Sequence, residues 1–161
     1  MTGNAQSDAP AGDATKFAGR HLDDQLCFAL YAATNALTRL YRPLLAELGL
    51  TYPQYLVMLV LWEEKRCTSG HVARRLNLAP NAVTPLIDRL IAAGFVTRTP
   101  AEGDRRRYDL DLTRPGAALE DRVGAVQDAV ACRTAMGPAE IDDLCRRLHA
   151  LARAAARSPA A

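Results

Sequence analysis

The stretch that decides the fold runs from Thr68 to Thr113 and reads TSGHVARRLNLAPNAVTPLIDRLIAAGFVTRTPAEGDRRRYDLDLT. Its first half carries apolar residues at helical spacing, which predicts one short helix over 70–76 and another over 80–93. Only residues 77–79 connect the two helices. Two short helices joined in this way are typical of a helix-turn-helix.

The pattern changes after Gly94, where the helical period gives way to strand-like alternation. Residues 95–99 form a β-type run, residues 107–113 alternate polar and apolar side chains, and residues 100–106 between them are turn-forming and charged. These features predict a β-hairpin with a basic tip. A helix-turn-helix followed by such a hairpin is a winged helix, so the predicted fold class is mainly α with a small β-wing.

Helices are also predicted on both sides of the winged helix, over 23–48, 54–64, 115–133 and 138–156. Pro43 lies inside the first of them, so a kink or a break is expected near Tyr41. The apolar stripes of the long flanking helices exceed what one small domain can cover. The simplest arrangement pairs the chain with a second copy as a two-fold dimer, and a helical bundle closed within one chain is the alternative.

The composition favours a folded protein, since 49% of the 161 residues are hydrophobic and 24% are charged. The chain has no apolar run of about 18 residues that would cross a membrane. Residues 1–20 lack the apolar region of a signal peptide and are predicted to be a disordered arm, so we expect the cytoplasm as the compartment. The net charge of +2 is too small to indicate nucleic acid, and the positions of the arginines are more informative.

Short polar side chains and arginines are concentrated where a winged helix meets DNA. The second helix of the helix-turn-helix starts with free backbone N–H groups, and short side chains near its start can approach base edges and phosphates. Arginines in the hairpin suit a narrow, electronegative minor groove. The predicted DNA contacts are Asn81, Thr84, Arg89, Arg98, Arg105, Arg106 and Arg107. A basic hairpin can also be merely solvated, but its place directly after a helix-turn-helix favours DNA binding.

The four cysteines, Cys27, Cys67, Cys132 and Cys145, include no Cys-x-x-Cys pair and do not indicate a disulfide framework. Cys67 and His71 have a spacing that zinc ligands use, but the other histidines have no paired spacing. We therefore expect neither a metal nor a cofactor.

Cys27 is the cysteine best placed for redox chemistry, because it falls near the start of the first long helix. A helix start favours the thiolate, which is the form that attacks peroxides, although Asp23 and Asp24 partly oppose that effect. Tyr31 lies one helical turn further on and could reach the thiol. The alternative is that Cys27 packs as a small apolar residue, as most free cysteines do.

Several segments resemble known bacterial regulators. The wing sequence DRR at 104–106 and the strand that ends in Leu112 and Thr113 are similar to the MarR family. More specifically, the following segments resemble the organic-hydroperoxide-resistance regulators of that family: DQLCFALY at 24–31, YRPLL at 41–45, LTYPQY at 50–55 and LWE at 61–63. The specific resemblance is dense over about forty residues, and the broader one covers 22–156.

The resemblance implies a homodimer that binds a pseudo-palindromic DNA operator and represses a peroxidase gene until an organic hydroperoxide oxidises its sensor thiol. Cys27 matches the sensor cysteine, which becomes a sulfenic acid. Tyr41 and Tyr52 match tyrosines that reach the thiol from the partner subunit, and Tyr31 matches a third tyrosine near it. Cys132 matches the position at which one branch of the family carries a resolving cysteine.

The resemblance also assigns roles in the wing and implies a domain division. Arg106 matches the arginine that enters the minor groove, and Asp104 matches the acidic residue that orients it. We expect a single domain over 21–157 that follows the arm at 1–20. Its expected parts are dimerisation helices at 21–50 and 115–157 and a winged-helix DNA-binding lobe at 53–113.

The start of the recognition helix departs from the family pattern. The family usually has LDSGTLTP where this chain has LAPNAVTP at 78–85, and only Leu78, Thr84 and Pro85 agree. The operator sequence therefore cannot be carried over. A MarR-type repressor released by a small aromatic or phenolic ligand is one alternative function. A thiol peroxidase is another, but it would leave the wing unexplained, so we expect no enzyme.

Overall fold

The computed structural model describes residues 21–101 and 104–157, without the side chains of 101 and 104–107. The predicted arm at 1–20 lies outside the described residues. The chain divides into two compact units at the boundary between Arg39 and Leu40. The elements in chain order are α1 (Leu26–Ala46), α2 (Tyr52–Glu64), β1 (Arg66–Thr68), α3 (Ser69–Leu76), α4 (Pro80–Ala92), β2 (Val96–Ala101), β3 (Asp104–Leu112), α5 (Arg114–Ala118), α6 (Glu120–Ala131) and α7 (Pro138–Arg157).

The predicted helix-turn-helix is confirmed as α3 and α4. The Thr68 hydroxyl accepts a hydrogen bond from the His71 backbone N–H at 3.2 Å and caps the start of α3. Asn77 ends α3 at φ +52°, a left-handed conformation that asparagine tolerates better than most residues. This residue turns the chain sharply enough for α4 to begin at Pro80, where proline suits the first helical turn.

The wing is confirmed as a hairpin of β2 and β3, in which Val96 pairs with Leu112 and Pro100 with Tyr108. A third strand, β1, pairs with the other edge of β3, so the sheet order is β1-β3-β2. The sequence did not predict β1, because three residues between two helices carry no alternation that periodicity can detect. The strand forms because β3 has a second edge to pair, where Cys67 stands opposite Leu110.

The core of the larger unit joins α2, α3, α4 and the sheet. Its fully buried side chains include Leu61, Val72, Ile87 and Leu110, one from each of these elements. Trp62 fixes the helix that follows the wing, because its indole N–H donates to the Gly116 carbonyl at 3.0 Å. The second helix of the helix-turn-helix, α4, therefore packs against a buried core.

Two expectations about the flanking helices change in detail. α1 has no break near Tyr41 and continues through Pro43, where the fully buried Leu45 holds the last turn in the core, while a kink at this point stays a prediction. The helix predicted over 115–133 is interrupted, with α5 and α6 on either side of Leu119. The interruption lies three residues after Gly116, whose carbonyl is occupied by Trp62.

α7 and the first part of α1 are helices with little of their surface covered. α7 is described along its whole length and has no buried residue, although it is amphipathic. Residues 21–39 of the first unit likewise contain none. No helix in 21–101 or 104–157 combines the length and the apolar character that a membrane crossing needs.

Candidate functional site

The polar face of α4 is free for contacts outside the lobe. Asn81, Thr84 and Arg89 are exposed, while Val83 and Leu90 on the opposite face are buried. The Thr84 hydroxyl donates to the Pro80 carbonyl at 3.0 Å, which leaves its oxygen with acceptor capacity. The predicted recognition face therefore has the polar groups that DNA contacts require.

Arg98 is held by neighbours within the lobe. Its guanidinium lies 3.1 Å from an Asp88 carboxylate oxygen and 5.8 Å from the centre of the Tyr108 ring. Asp88 belongs to α4 and Arg98 to β2, so the ion pair ties the recognition helix to the wing. The predicted role of Arg98 in DNA binding is untested by this geometry. The side chains of Asp104, Arg105, Arg106 and Arg107 lie outside the described part of the structure.

The four cysteines differ in exposure. Cys27, Cys132 and Cys145 are exposed, and Cys67 is half-buried. Cys27 is the second residue of α1, because Leu22–Asp24 form a separate 3-10 turn before that helix. Tyr31 is 66% exposed on the next turn.

Cys67 is chemically protected. Burial, followed by the nearby carboxylates of Glu64, Asp109 and Asp111, raises the pKa of its thiol from 9.0 to about 11. At neutral pH the thiol therefore stays protonated, and the protonated form is a poor nucleophile. Cys67 and His71 belong to no group of three metal-binding side chains within the described ranges.

Three tyrosines of the larger unit form one cluster. Ring centres lie 5.1 Å apart for Tyr41 and Tyr52, 5.6 Å for Tyr41 and Tyr55, and 6.0 Å for Tyr52 and Tyr55. Aromatic rings at such separations attract one another in tilted arrangements. Of the residues expected at the thiol site, Tyr41 and Tyr52 are thus brought together, whereas Cys27 and Tyr31 belong to the other compact unit.

The environment keeps the hydroxyls of this cluster protonated. Burial, followed by the neighbouring tyrosines, raises the pKa of Tyr41 to about 12. Burial also raises the pKa of Tyr52 and of Tyr55, although hydrogen bonds from Gln127 and Tyr41 partly offset the rise at Tyr55. Each hydroxyl is therefore available as a hydrogen-bond donor at any physiological pH.

Comparison with known proteins assigns the family. The MarR family profile matches residues 50–108. The organic hydroperoxide resistance transcriptional regulator of Bacillus subtilis is 40% identical over 66% of this chain and 73% of its own length. The chain belongs to the MarR family.

Other relatives of this MarR-family chain are also regulators. The transcriptional regulator TtmR of Methylorubrum extorquens is 45% identical over 71% of the chain, a match that spans only 59% of the length of TtmR. The structure of reduced AbfR bound to DNA has a TM-score of 0.68 at 31% identity and covers 85% of this chain and 96% of that one. Disulfide-formed AbfR matches with a TM-score of 0.57 at 32% identity, over 83% and 88%.

The comparisons confirm the fold class and the winged helix predicted from the sequence. They also confirm the class of function, because the family and these relatives are DNA-binding transcriptional regulators and not enzymes. The assignments of individual site residues remain predictions.

Sequence reasoning gave no role to Tyr55 or Gln127. Tyr55 is 2% exposed, and its hydroxyl oxygen accepts a hydrogen bond from the Gln127 side-chain amide at 3.0 Å. The spacing of Tyr55 from Tyr52, three residues on one helix, could have indicated the third tyrosine. The bond from Gln127 joins residues 72 positions apart, which no local pattern reveals.

Proposed function

We propose that this MarR-family regulator is a thiol-based redox sensor that binds its operator as a homodimer, represses transcription, and releases the DNA when an organic hydroperoxide oxidises Cys27. One observation carries the proposal. Cys27 is an exposed thiol at the start of α1, in a chain 40% identical to the organic hydroperoxide resistance regulator of Bacillus subtilis. The positive end of the helix dipole attracts the negative charge of a thiolate to this position.

The first chemical step is a two-electron oxidation of the sensor. The Cys27 thiolate attacks the terminal oxygen of the hydroperoxide and breaks the O–O bond, so the sulfur is oxidised and the hydroperoxide is reduced. The attacked oxygen keeps its hydrogen, which gives the sulfenic acid, and one proton from the surroundings converts the leaving alkoxide to an alcohol. Tyr41 and Tyr52 of the partner subunit, with Tyr31, are the proposed donors that stabilise the thiolate and neutralise the leaving alkoxide.

The second step converts local chemistry into a change of shape. The thiol of the partner's Cys132 attacks the sulfur of the sulfenic acid, the S–S bond forms as the S–O bond breaks, and the displaced hydroxyl takes the thiol proton and leaves as water. Cys132 is exposed directly after α6, which agrees with this role. A bond between helices of two subunits would alter the spacing of the two recognition helices, and two half-sites on DNA tolerate little change in that spacing.

The proposal also assigns the DNA contacts. Residues 53–113 would form the DNA-binding lobe, and the helices within 21–50 and 115–157 the dimerisation region of one domain over 21–157. The exposure of Asn81, Thr84 and Arg89 on α4 supports this assignment. The proposed contacts from the wing are Arg98, Arg105, Arg106 and Arg107, with Asp104 orienting Arg106.

The experiment compares DNA release by three proteins. The wild type, Cys27→Ser and Cys145→Ser are titrated onto a labelled fragment from upstream of their own gene, reduced or treated with cumene hydroperoxide. Cys145→Ser is the matched control, because Cys145 is also an exposed thiol on a helix. We expect oxidant to release DNA from the wild type and from Cys145→Ser, whereas Cys27→Ser stays bound.

Retention of DNA by the oxidised wild type would contradict the proposal, and so would release from oxidised Cys27→Ser. A non-reducing gel of the same samples tests the partner of Cys27. The oxidised wild type should run as a covalent dimer, and a Cys132→Ser variant should not.

A further inference from the structure

The side chain of Gln127 links two regions that the redox chemistry needs. Gln127 lies on α6, five residues before Cys132, and its amide nitrogen is 3.0 Å from the Tyr55 hydroxyl oxygen. Tyr55 in turn packs against Tyr41, with their ring centres 5.6 Å apart, so the two hydroxyls belong to one cluster. The chain of contacts therefore runs from α6 through one tyrosine to another within the larger unit.

The direction of these hydrogen bonds follows from the chemistry of the groups. A tyrosine hydroxyl has one proton to donate and can accept through its oxygen, whereas an amide NH₂ group only donates. When Gln127 donates to the Tyr55 oxygen, the proton of Tyr55 is left to point elsewhere. Tyr41 carries the neighbouring hydroxyl group of the cluster, so this proton can be given to the Tyr41 oxygen.

A thiolate beside Tyr41 would then be the last acceptor in a series of hydrogen bonds that runs from Gln127 through Tyr55 and Tyr41. Either hydroxyl of Tyr41 and Tyr55 can be the donor to the other. If Tyr41 turns its proton towards a thiolate, Tyr55 can donate to Tyr41, because Gln127 satisfies the Tyr55 oxygen. Successive hydrogen bonds of one direction strengthen one another.

We propose that Gln127 is a positioning residue of the redox sensor: it donates to Tyr55, lets Tyr55 donate to Tyr41, and so orients the Tyr41 proton towards the Cys27 thiolate of the partner subunit. The inference rests on the proposed function, since it needs Cys27 as the sensor. It adds two residues, Gln127 and Tyr55, that do not touch the reacting sulfur. It also places the end of this hydrogen-bonded series on the helix that precedes Cys132.

Two substitutions separate donor chemistry from packing. Gln127→Glu keeps the shape of the side chain but replaces its donor by a carboxylate, which accepts the Tyr55 proton. Tyr55 can then no longer donate to Tyr41. Gln127→Met keeps a side chain of similar length with neither a strong donor nor a strong acceptor. Gln127 is exposed, so both variants are expected to fold, and circular dichroism checks this.

The measurement is the pH profile of iodoacetamide alkylation at Cys27, followed by mass spectrometry in the full-length dimer. Loss of one hydrogen bond to a charged group is expected to move the midpoint of the profile up by about one pH unit, which is about a tenfold loss of thiolate on the acidic side. We expect the largest shift for Gln127→Glu and a smaller one for Gln127→Met. The rate of oxidation by cumene hydroperoxide at pH 7 should fall in the same order.

The controls separate failure of this inference from failure of the proposed function. If oxidised Cys27→Ser still releases DNA, the sensor assignment is wrong and the role of Gln127 falls with it. If the wild type responds through Cys27 but Gln127→Glu keeps the wild-type pH profile, only the role of Gln127 is overturned. Equal shifts for the Glu and Met variants would also overturn it, because a packing role does not distinguish an acceptor from an inert side chain.

Discussion

The helices of the winged-helix lobe and the flanking helix α7 differ in what covers their apolar faces. In the lobe, Val83, Ile87 and Leu90 of α4 are almost completely buried. Along α7, Leu144, Leu148 and Leu151 remain 36–43% exposed on one side. The lobe closes its core within one chain, whereas α7 carries an apolar face that the described part of the chain leaves uncovered. A second copy of the chain is the natural cover in a protein proposed to be a dimer.

The largest expected effect comes from a substitution that disrupts the packing of the larger unit. In Gly116→Ala the added Cβ would lie 2.0 Å from the Phe95 carbonyl oxygen, a backbone atom that cannot move without displacing the end of the wing. We expect the free energy of unfolding to fall by more than about 3 kcal/mol, at the upper end of overpacking effects. Urea denaturation measures it.

Gly124→Ala is the matched control for this prediction. A Cβ at Gly124 meets no atom of the described residues within 4 Å, and the residue lies inside α6. Alanine is the better helix former, so this variant should be more stable by about 0.5–1 kcal/mol. Similar effects of the two substitutions would contradict the account of the junction between wing and α5.

The next effect tests whether the lobe alone reads the DNA. Arg106→Ala should weaken operator binding by about 1–3 kcal/mol, because an arginine in a groove is among the strongest single contacts. Fluorescence anisotropy at two salt concentrations measures it. Arg146→Ala, on α7 and paired only with Asp143 in the described structure, should leave the affinity unchanged. A loss of equal size in both variants would mean that charge in general, not the wing, holds the DNA.

A smaller effect is expected from a substitution on the exposed apolar face of α7, and it tests whether a second copy of the chain covers that face. Leu148→Ala removes part of the exposed apolar face of α7. We expect the dimer dissociation constant to rise about tenfold, equivalent to about 1.4 kcal/mol. Sedimentation velocity measures it, and Arg146→Ala on another side of the same helix serves again as control. An unchanged dissociation constant would show that this face is not covered by a second copy.

The smallest effect concerns Cys67, whose folded-state pKa of about 11 exceeds the ordinary 9.0. The protonated thiol is favoured by folding, so its contribution to stability is fully present below pH 9 and is lost as the pH rises from 9 to 11. Cys67→Ser should therefore show a shallower loss of stability over this range than the wild type. Denaturant titrations at pH 8, 9, 10 and 11 check the difference. Parallel curves would contradict the assigned environment.

Local signals predicted much of the lobe. The cap at Thr68, the turn at Asn77, the proline at the start of α4 and the period change after Gly94 are all encoded by neighbours in sequence. β1 was not predictable in this way, because a three-residue strand depends on the free edge of β3. The continuation of α1 through Pro43 likewise depends on tertiary packing around Leu45.

At the candidate thiol site, some residues could likewise be predicted from the sequence, whereas others come together only through folding. Resemblance placed Tyr41 and Tyr52 at the site, and the structure adds their contact with each other. Tyr55 and Gln127 join them only through folding, since α2 and α6 are distant in sequence. The raised pKa of Cys67 depends on burial and then on carboxylates. Glu64 is near Cys67 in sequence, but Asp109 and Asp111 belong to β3 and come close only through folding.

The central claim is that oxidation that begins at Cys27, and that Cys132 of the partner subunit joins only by forming the disulfide, releases the DNA. The most direct measurement titrates the DNA-bound dimer with cumene hydroperoxide. At each step it records the fraction of DNA released and, by mass spectrometry, the fraction of each cysteine that is oxidised. The account predicts that release rises with oxidation of Cys27 and that Cys67 stays reduced throughout. Release of DNA while Cys27 is still reduced would contradict it.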